Sequence, residues 1–119
     1  VPVIDPADIA EVAAACLLDD RHHGGVYELT GPETITPRGQ AEAIAAALGS
    51  PVRFHDLTRD EARAAMARSM PVELADDTLD ILGSPSPAEV RVSPDVRRVL
   101  GRDPRPFADW TARHVAAFR

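Results

Sequence analysis

The sequence Gly25-Val26-Tyr27-Glu28-Leu29-Thr30-Gly31-Pro32-Glu33 decides the fold that we predict for this chain. Residues 26–30 are mostly β-branched, aromatic or aliphatic, as strand residues are, and Gly31-Pro32 closes the run with typical turn residues. We therefore predict a strand here. Two further strands are predicted, at residues 52–57 and at residues 1–4. In residues 1–4, Pro2 restricts the segment to a sheet edge or a strand end.

Helices are predicted between and after these strands, from apolar residues at helical spacing and from residues that cap helix ends. Asp8 is expected to cap the first helix, and Gly49 and Gly101 are expected to end two later ones. The other predicted helix starts are Thr36-Pro37, the capping box of Thr58 with Glu61, Pro71, and Ser93-Pro94. The predicted class is α/β, in which short strands alternate with helices and a mainly helical second half follows.

The composition argues against several classes of protein. The 119 residues carry a net charge of −6 and no basic stripe, so binding to nucleic-acid phosphates is not expected. Cys16 is the single cysteine, so no disulfide can form within the chain. No apolar run approaches the roughly 20 residues of a transmembrane helix. We therefore expect a cytoplasmic protein that binds neither nucleic acid nor membrane.

No complete catalytic or cofactor-binding motif is recognised in the sequence. A dinucleotide site requires a glycine-rich turn between a strand and a helix, and the sequence contains no G-x-G-x-x-G. The only tyrosine, Tyr27, is followed four residues later by Gly31 rather than by a lysine that would lower its pKa, and the chain has no lysine at all. A G-x-S-x-G nucleophile elbow is also missing. We therefore predict no catalytic, cofactor-binding or metal-ligating residue in this chain.

Four side chains are candidates for an apolar substrate pocket. Met66 and Met70 lie one helical turn apart and suit an adaptable pocket, although an ordinary core explains them equally well. Trp110 is predicted to anchor the last helix to the core. His114 lies one turn further along the same face, where it is either a partly buried structural histidine or one that faces a substrate or an interface.

Other reactive side chains have simpler interpretations. His22 and His23 lie beside two aspartates, but adjacent histidines in a turn point in different directions, so a solvated turn explains them better than a metal site. Cys16 lies on an apolar helix face, where a free cysteine packs like a small hydrophobic residue. The acidic run from Glu73 to Asp80 is expected to be a solvated face.

Several segments together match one family pattern. They are Asp8-Ile9-Ala10, the Gly25–Glu33 segment, Leu48-Gly49 with Pro51-Val52-Arg53-Phe54 behind it, and Val99-Leu100-Gly101-Arg102 leading to Phe107-Ala108-Asp109-Trp110. Over nearly its whole length the chain resembles the C-terminal part of NmrA-like, NAD(P)-binding atypical short-chain dehydrogenases. That group includes quinone-reductase-like and sugar-nucleotide-epimerase-like members.

The resemblance implies a role for each part of the chain. Residues 27–30 would pair with a parallel Rossmann-type sheet whose other strands lie upstream, and the chain would supply the substrate-side lobe. The helices around Pro71 would cover the substrate cleft. The N-terminal half of such proteins, with its glycine-rich turn, has no counterpart here, so NAD(P) is implied only for the parent protein and no functional residue carries over.

Three functions are compatible with these observations. The first is the substrate-side portion of an NAD(P)-dependent oxidoreductase or epimerase-like protein that acts on a small molecule, with residues 1–119 as a single domain or a fragment. The chain opens at Val1 within a predicted strand. We therefore expect the chain to be a piece of something longer. The second is part of a non-catalytic NmrA-like regulator that binds the dinucleotide. The third is an independent small ligand-binding domain that forms a homodimer through its exposed strand edge.

Overall fold

The computed structural model describes all 119 residues and is built from helices joined by irregular segments. The α-helices are α1 (Pro6–Leu18), α2 (Pro37–Leu48), α3 (Arg59–Met66), α4 (Val72–Gly83), α5 (Asp95–Leu100) and α6 (Phe107–His114). Two short 3-10 helices cover Asp20–His22 and Val115–Phe118. No helix is both long enough and apolar enough to cross a membrane.

The helix ends of the middle of the chain follow the predicted local chemistry. The Thr36 side chain accepts a hydrogen bond from the Gly39 N–H, and proline follows it as the first residue of α2. The predicted capping box of Thr58 and Glu61 is formed in both directions at the start of α3. Gly49 adopts a left-handed φ of 70° after α2, a conformation that glycine reaches without steric cost. These starts and stops are confirmed.

The predicted cap of the first helix is wrong. Asp5, not Asp8, caps α1: its carboxylate accepts a hydrogen bond from the Ala7 N–H, and Pro6 occupies the first helical position. A proline there needs no hydrogen-bond partner and has a suitable φ, so the helix starts three residues earlier than predicted. Asp8 lies within the first turn and is fully buried.

No strand forms at the three predicted positions. A strand is defined by its ladder, and these segments find no partner strand within the chain. Residues 1–4 instead make isolated backbone hydrogen bonds, from the Gly31 N–H to the Pro2 carbonyl and from the Ile35 N–H to the Val1 carbonyl. In residues 52–57, the Phe54 ring lies under the Arg38 guanidinium rather than in a sheet.

Gly31 is required where two segments approach closely. A Cβ atom at this position would lie 2.0 Å from the Val3 carbonyl oxygen, so any side chain would displace one of the two backbones. The neighbouring Thr30 is buried, and its hydroxyl accepts a hydrogen bond of 3.0 Å from the Ser93 N–H. The predicted turn after residue 30 therefore joins the chain's start to the segment that leads into α5.

The helices pack chiefly as three pairs, α1 with α5, α2 with α6, and α3 with α4. Val12 and Val96 are buried in α1 and α5, and Ala75 is buried in α4; these three are the buried hydrophobic residues. The radius of gyration is 16.7 Å, whereas a compact domain of this length has about 13.5 Å. The chain thus has only a small core of its own.

Large apolar side chains are correspondingly exposed. Leu17, Leu18 and Val26 show 87%, 88% and 95% of their surface to solvent. The total accessible surface is 8122 Å², against about 6,300 Å² for an ordinary monomer of this mass. The other large exposed hydrophobic residues are Ile9, Val52, Leu57, Leu74, Ile81, Leu82, Val92 and Phe118.

Candidate functional site

An open pocket with a volume of about 250 Å³ has a mostly apolar surface. It lies between the start of the chain and two helices. Its lining residues are Val3, Ile4, Asp5, Pro6, Gln40, Phe107 and Trp110.

Three parts of the chain position this lining. The segment 3–6 runs into α1 and forms one wall. Gln40 lies near the start of α2, four residues after the cap residue Thr36. Phe107 begins α6 and Trp110 follows one turn later, so both rings lie on one face of that helix. The pocket is therefore built where the α2–α6 pair meets the entry to α1.

Two aromatic rings belong to the lining and lie against each other. Phe107 and Trp110 are stacked, with 5.6 Å between ring centroids and an angle of 20° between planes. The Phe118 ring, which is not part of the lining, meets Trp110 edge to face at 6.2 Å between centroids. Such arrangements stabilise aromatic pairs beyond their buried area and hold the indole in one orientation.

Asp5 is the one charged residue of the lining, and its charge is compensated. Its side chain is buried and forms an ion pair with Arg113 of α6. Its other carboxylate oxygen accepts the hydrogen bond of 2.9 Å from the Ala7 N–H that caps α1. The pocket consequently presents no free charge to a ligand.

The four predicted pocket residues lie in two places. Trp110 lines the pocket, and His114 contacts the Trp110 ring at 4.9 Å between centroids but is exposed and outside the lining. Met66 ends α3 and Met70 lies in the turn before α4; both are half-buried in that helix pair and neither lines the pocket. The structure thus does not bring the methionines together with Trp110 at this pocket.

Sequence reasoning missed most of the lining. Gln40 lies four residues before Ile44 of the predicted apolar stripe of α2, and this spacing places it on the inward face. The pair Asp5-Pro6 was a local signal for the start of the first helix, and both residues line the pocket. No local signal joins residues 3–6 to Phe107, because about 100 residues separate them.

A buried carboxylate holds the two ends of the chain together beside this pocket. The Asp8 Oδ2 atom accepts a hydrogen bond of 2.7 Å from the Arg105 backbone N–H, and Arg102 Nη2 lies 2.8 Å from Asp8 Oδ1. Glu11, one turn further along α1, pairs with both arginines. Hydrogen bonds from Arg102 and then Arg105 lower the pKa of Glu11 to about 2. We call Asp8, Glu11, Arg102 and Arg105 the α1 clamp.

The α3–α4 pair is held by a second set of arginines. Arg63 Nε lies 2.7 Å from Asp76 Oδ1, and Arg59 Nη2 lies 2.7 Å from Asp80 Oδ1. The Arg63 hydrogen bond lowers the pKa of Asp76. The acidic run of α4 is solvent-accessible, as predicted, and two of its members also attach α4 to α3.

The remaining candidates show no arrangement for metal binding or nucleophilic catalysis. His22 Nδ1 lies 3.1 Å from the Tyr27 hydroxyl, and the two rings meet edge to face. His23 is exposed, and Cys16 is half-buried on α1. No group of three or more histidine, cysteine or acidic side chains is placed to hold a metal ion.

Comparison with known proteins shows similarity to oxidoreductases. The chain is 40% identical over 119 residues to the (4-alkanoyl-5-oxo-2,5-dihydrofuran-3-yl)methyl phosphate reductase of Streptomyces griseus subsp. griseus, covering 99% of this chain and 42% of that protein. It is 37% identical to the NAD(P)H azoreductase of Xenophilus azovorans, over 97% of this chain and 41% of the relative. It is also 37% identical to the uncharacterised oxidoreductase YesF of Bacillus subtilis, over 95% of this chain and 40% of that protein.

These matches cover only a part of each relative. The chain spans about two fifths of the length of each of these relatives. No protein-family model matches it. The chain is therefore similar to a part of proteins that are named as reductases or oxidoreductases.

Proposed function

We propose that this chain is the substrate-side, C-terminal portion of an NAD(P)-dependent oxidoreductase with an α/β, Rossmann-type fold, and that it is not catalytically competent alone. The observation that carries the proposal is the partial match to three relatives named as oxidoreductases. Membership of the NmrA-like atypical short-chain dehydrogenases is part of the proposal and rests on the sequence motifs given above. The name of the azoreductase motivates NAD(P)H as the electron donor of the parent protein.

The exposed apolar side chains support the proposal that this chain is part of a larger protein. Leu17, Leu18 and Val26 leave apolar area in water that a complete protein would bury. Residues 26–30, predicted as a strand, lack a ladder within the chain. An upstream nucleotide-binding sheet would supply both the ladder and the cover, and we propose it as the principal partner of this chain.

The residues of this chain do not fit a dinucleotide site. A pyrophosphate binds where a glycine-rich turn opens a helix, because the free N–H groups of the helix point at it. The glycines with positive φ are Gly24, Gly49 and Gly101, and none of them precedes the first turn of an α-helix. The cofactor would therefore be held by the parent's other part, and no chemical step is assigned to residues of this chain.

The proposal is tested by calorimetric titration with NADPH and NADH. The 119-residue chain is expected to bind neither, whereas the chain joined to the region encoded upstream of it should bind one of them and oxidise it with a quinone or azo acceptor. Micromolar binding by the chain alone would overturn the proposal. Binding without turnover by the joined protein would favour a non-catalytic NmrA-like regulator. A gene with no upstream region and a dimeric chain would favour an independent ligand-binding domain.

A further inference from the structure

The α3–α4 pair makes all of its polar contacts within itself. Every hydrogen bond and every ion pair of residues 58–85 has its partner in the same range. No other helix packs against α3 or α4 to a comparable extent. The other four α-helices, in contrast, are tied across their pairs by the α1 clamp and by the ion pair of Arg113 with Asp5. We call residues 58–85 the α3–α4 arm, and α1, α2, α5 and α6 the body.

The contacts inside the arm hold its two helices in one orientation. Arg63 of α3 bonds to Asp76 of α4 with two nitrogens, Nε at 2.7 Å from Oδ1 and Nη2 at 3.3 Å from Oδ2. A paired contact of this kind fixes the relative direction of the two side chains as well as their distance. Arg59 adds a hydrogen bond of 3.2 Å to the Asp76 carbonyl and an ion pair with Asp80. The arm is therefore built to move, if it moves, as one piece.

The segment before the arm has the properties of a hinge. Residues 50–57 form no regular structure and no hydrogen bond within the chain, and all of them except Phe54 are exposed. Because their backbone groups bond to water, their dihedral angles can change without the loss of a protein hydrogen bond. The Phe54 ring, 4.5 Å from the Arg38 guanidinium, attaches this segment to α2. Such a contact is weak where it is exposed to solvent.

The segment after the arm is also loosely attached. The last hydrogen bond at the end of α4 is donated by the Ser84 N–H. Residues 83–89 are exposed except for the half-buried Pro85. The next bond to another part of the chain joins the Thr34 hydroxyl to the Val90 carbonyl at 3.3 Å. Neither connection thus fixes the arm against the body by hydrogen bonds.

We propose that the α3–α4 arm reorients against the body as one rigid unit, with residues 50–57 as its principal hinge. Hinges of this type are short irregular segments between rigid elements, and they move in microseconds to milliseconds. A role of the arm as a gate for the substrate of the parent protein rests on the proposed oxidoreductase function. The hinge itself depends only on residues of this chain.

Residual dipolar couplings of the 119-residue chain test the hinge, because they average the orientations of N–H bonds over times up to milliseconds. The couplings of α3 and α4 should fit one alignment tensor together. That tensor should be smaller than the tensor of the body by more than the error of either fit, since motion about the hinge averages the couplings of the arm. One tensor of equal size for arm and body would overturn the proposal. Different tensors for α3 and α4 would overturn it as well.

Phe54→Ala is the variant that should loosen the hinge, because it removes the ring that lies against Arg38. It should reduce the tensor of the arm further and leave that of the body unchanged. Phe118→Ala is the matched control, since it removes an exposed aromatic ring outside the arm and the hinge, and the arm should then keep its original tensor. An unchanged arm tensor in Phe54→Ala would contradict the hinge at residues 50–57. The dinucleotide titration above measures binding and not orientation, so failure of the hinge is distinguishable from failure of the proposed function.

Discussion

The Asp8 carboxylate accepts a hydrogen bond from the backbone N–H of Arg105, 97 residues further along the chain. This bond ties the first turn of α1 to the connector that leads into α6. Residues 3–6, just before α1, and Phe107, just after the connector, both line the candidate pocket. The α1 clamp thus joins two of the segments that line the pocket without lining it itself.

Replacing the buried carboxylate should destabilise the whole chain. In Asp8→Asn the amide can still accept from the Arg105 N–H, but Arg102 and Arg105 lose one of their two carboxylate partners and share only Glu11. Because breaking a buried ion pair on one side leaves uncompensated charge, we expect a loss of about 2–4 kcal/mol, moderated by the partial exposure of both arginines. Urea unfolding followed by circular dichroism measures it. Glu11→Gln, at the exposed end of the clamp, is the control and should cost clearly less; equal losses would show that burial of Asp8 is not what matters.

The glycine at the closest backbone contact should not tolerate a side chain. Gly31→Ala places a Cβ atom against the Val3 carbonyl, so the two segments must separate, at a cost of about 2–3 kcal/mol. Gly83→Ala is the matched control, since it has open space and ends a helix, and it should be neutral or stabilising by up to about 1 kcal/mol. Thermal unfolding of the two variants compares them directly. A Gly31→Ala variant as stable as the control would refute the close approach.

Removing the central aromatic ring should loosen α6. Trp110→Ala loses the stack with Phe107 and the contacts with His114 and Phe118. Because Trp110 is half-buried, we expect a loss of about 2–3 kcal/mol, below the upper range for a fully buried tryptophan. Phe118→Ala, which removes an exposed ring of the same cluster, should cost less than about 1 kcal/mol. Denaturant midpoints from circular dichroism give both values, and a reversed order would contradict this account of the cluster.

The stability of the chain should fall in acid, in part through Glu11. Its pKa is lowered from 4.5 to about 2 in the folded chain, so the unfolded chain takes up the proton first as the pH falls. A depressed pKa of this kind stabilises the fold above pH 4.5, and the contribution is lost between pH 4.5 and about 2. The urea concentration at the midpoint of unfolding should therefore decrease from pH 6 to pH 4, and again from pH 4 to pH 3.

Glu11→Gln provides the control for this acid dependence. It should flatten the decrease without abolishing it, because the pKa of Asp19 is also lowered to about 2 by Arg21. If the urea midpoint of Glu11→Gln falls with pH as steeply as that of the unchanged chain, the two arginines of the clamp do not hold Glu11 in solution.

The helix ends that depend on neighbouring residues could be predicted from the sequence. Thr36, the capping box of Thr58 and Glu61, and Gly49 act within one turn of the backbone groups that they satisfy. Asp8 was misinterpreted because two aspartates lie near the start of α1, and the one before the proline takes the cap. The true partners of Asp8 lie more than 90 residues away, where no local pattern points.

The predicted strands and the candidate pocket show the other limit of sequence reasoning. Residues 26–30 have strand composition, but a ladder needs a second strand, which this chain does not provide. Trp110 was predicted to anchor the last helix and was a candidate for a substrate pocket, and it lies in the lining of the pocket described above. Gln40 and residues 3–6 join it only through the packing of α2 and α6 against the entry to α1.

The clamp between α1 and the connector also has a chemical consequence, because all its cations are arginines. Lysine amines are acetylated and carbamylated and lose their charge, whereas a guanidinium keeps its proton at any pH that proteins tolerate. Hydrogen bonds with Glu11, and secondly with Asp8, raise the pKa of Arg102 and Arg105 further. Amine acylation and alkaline conditions therefore leave the cations of this junction charged.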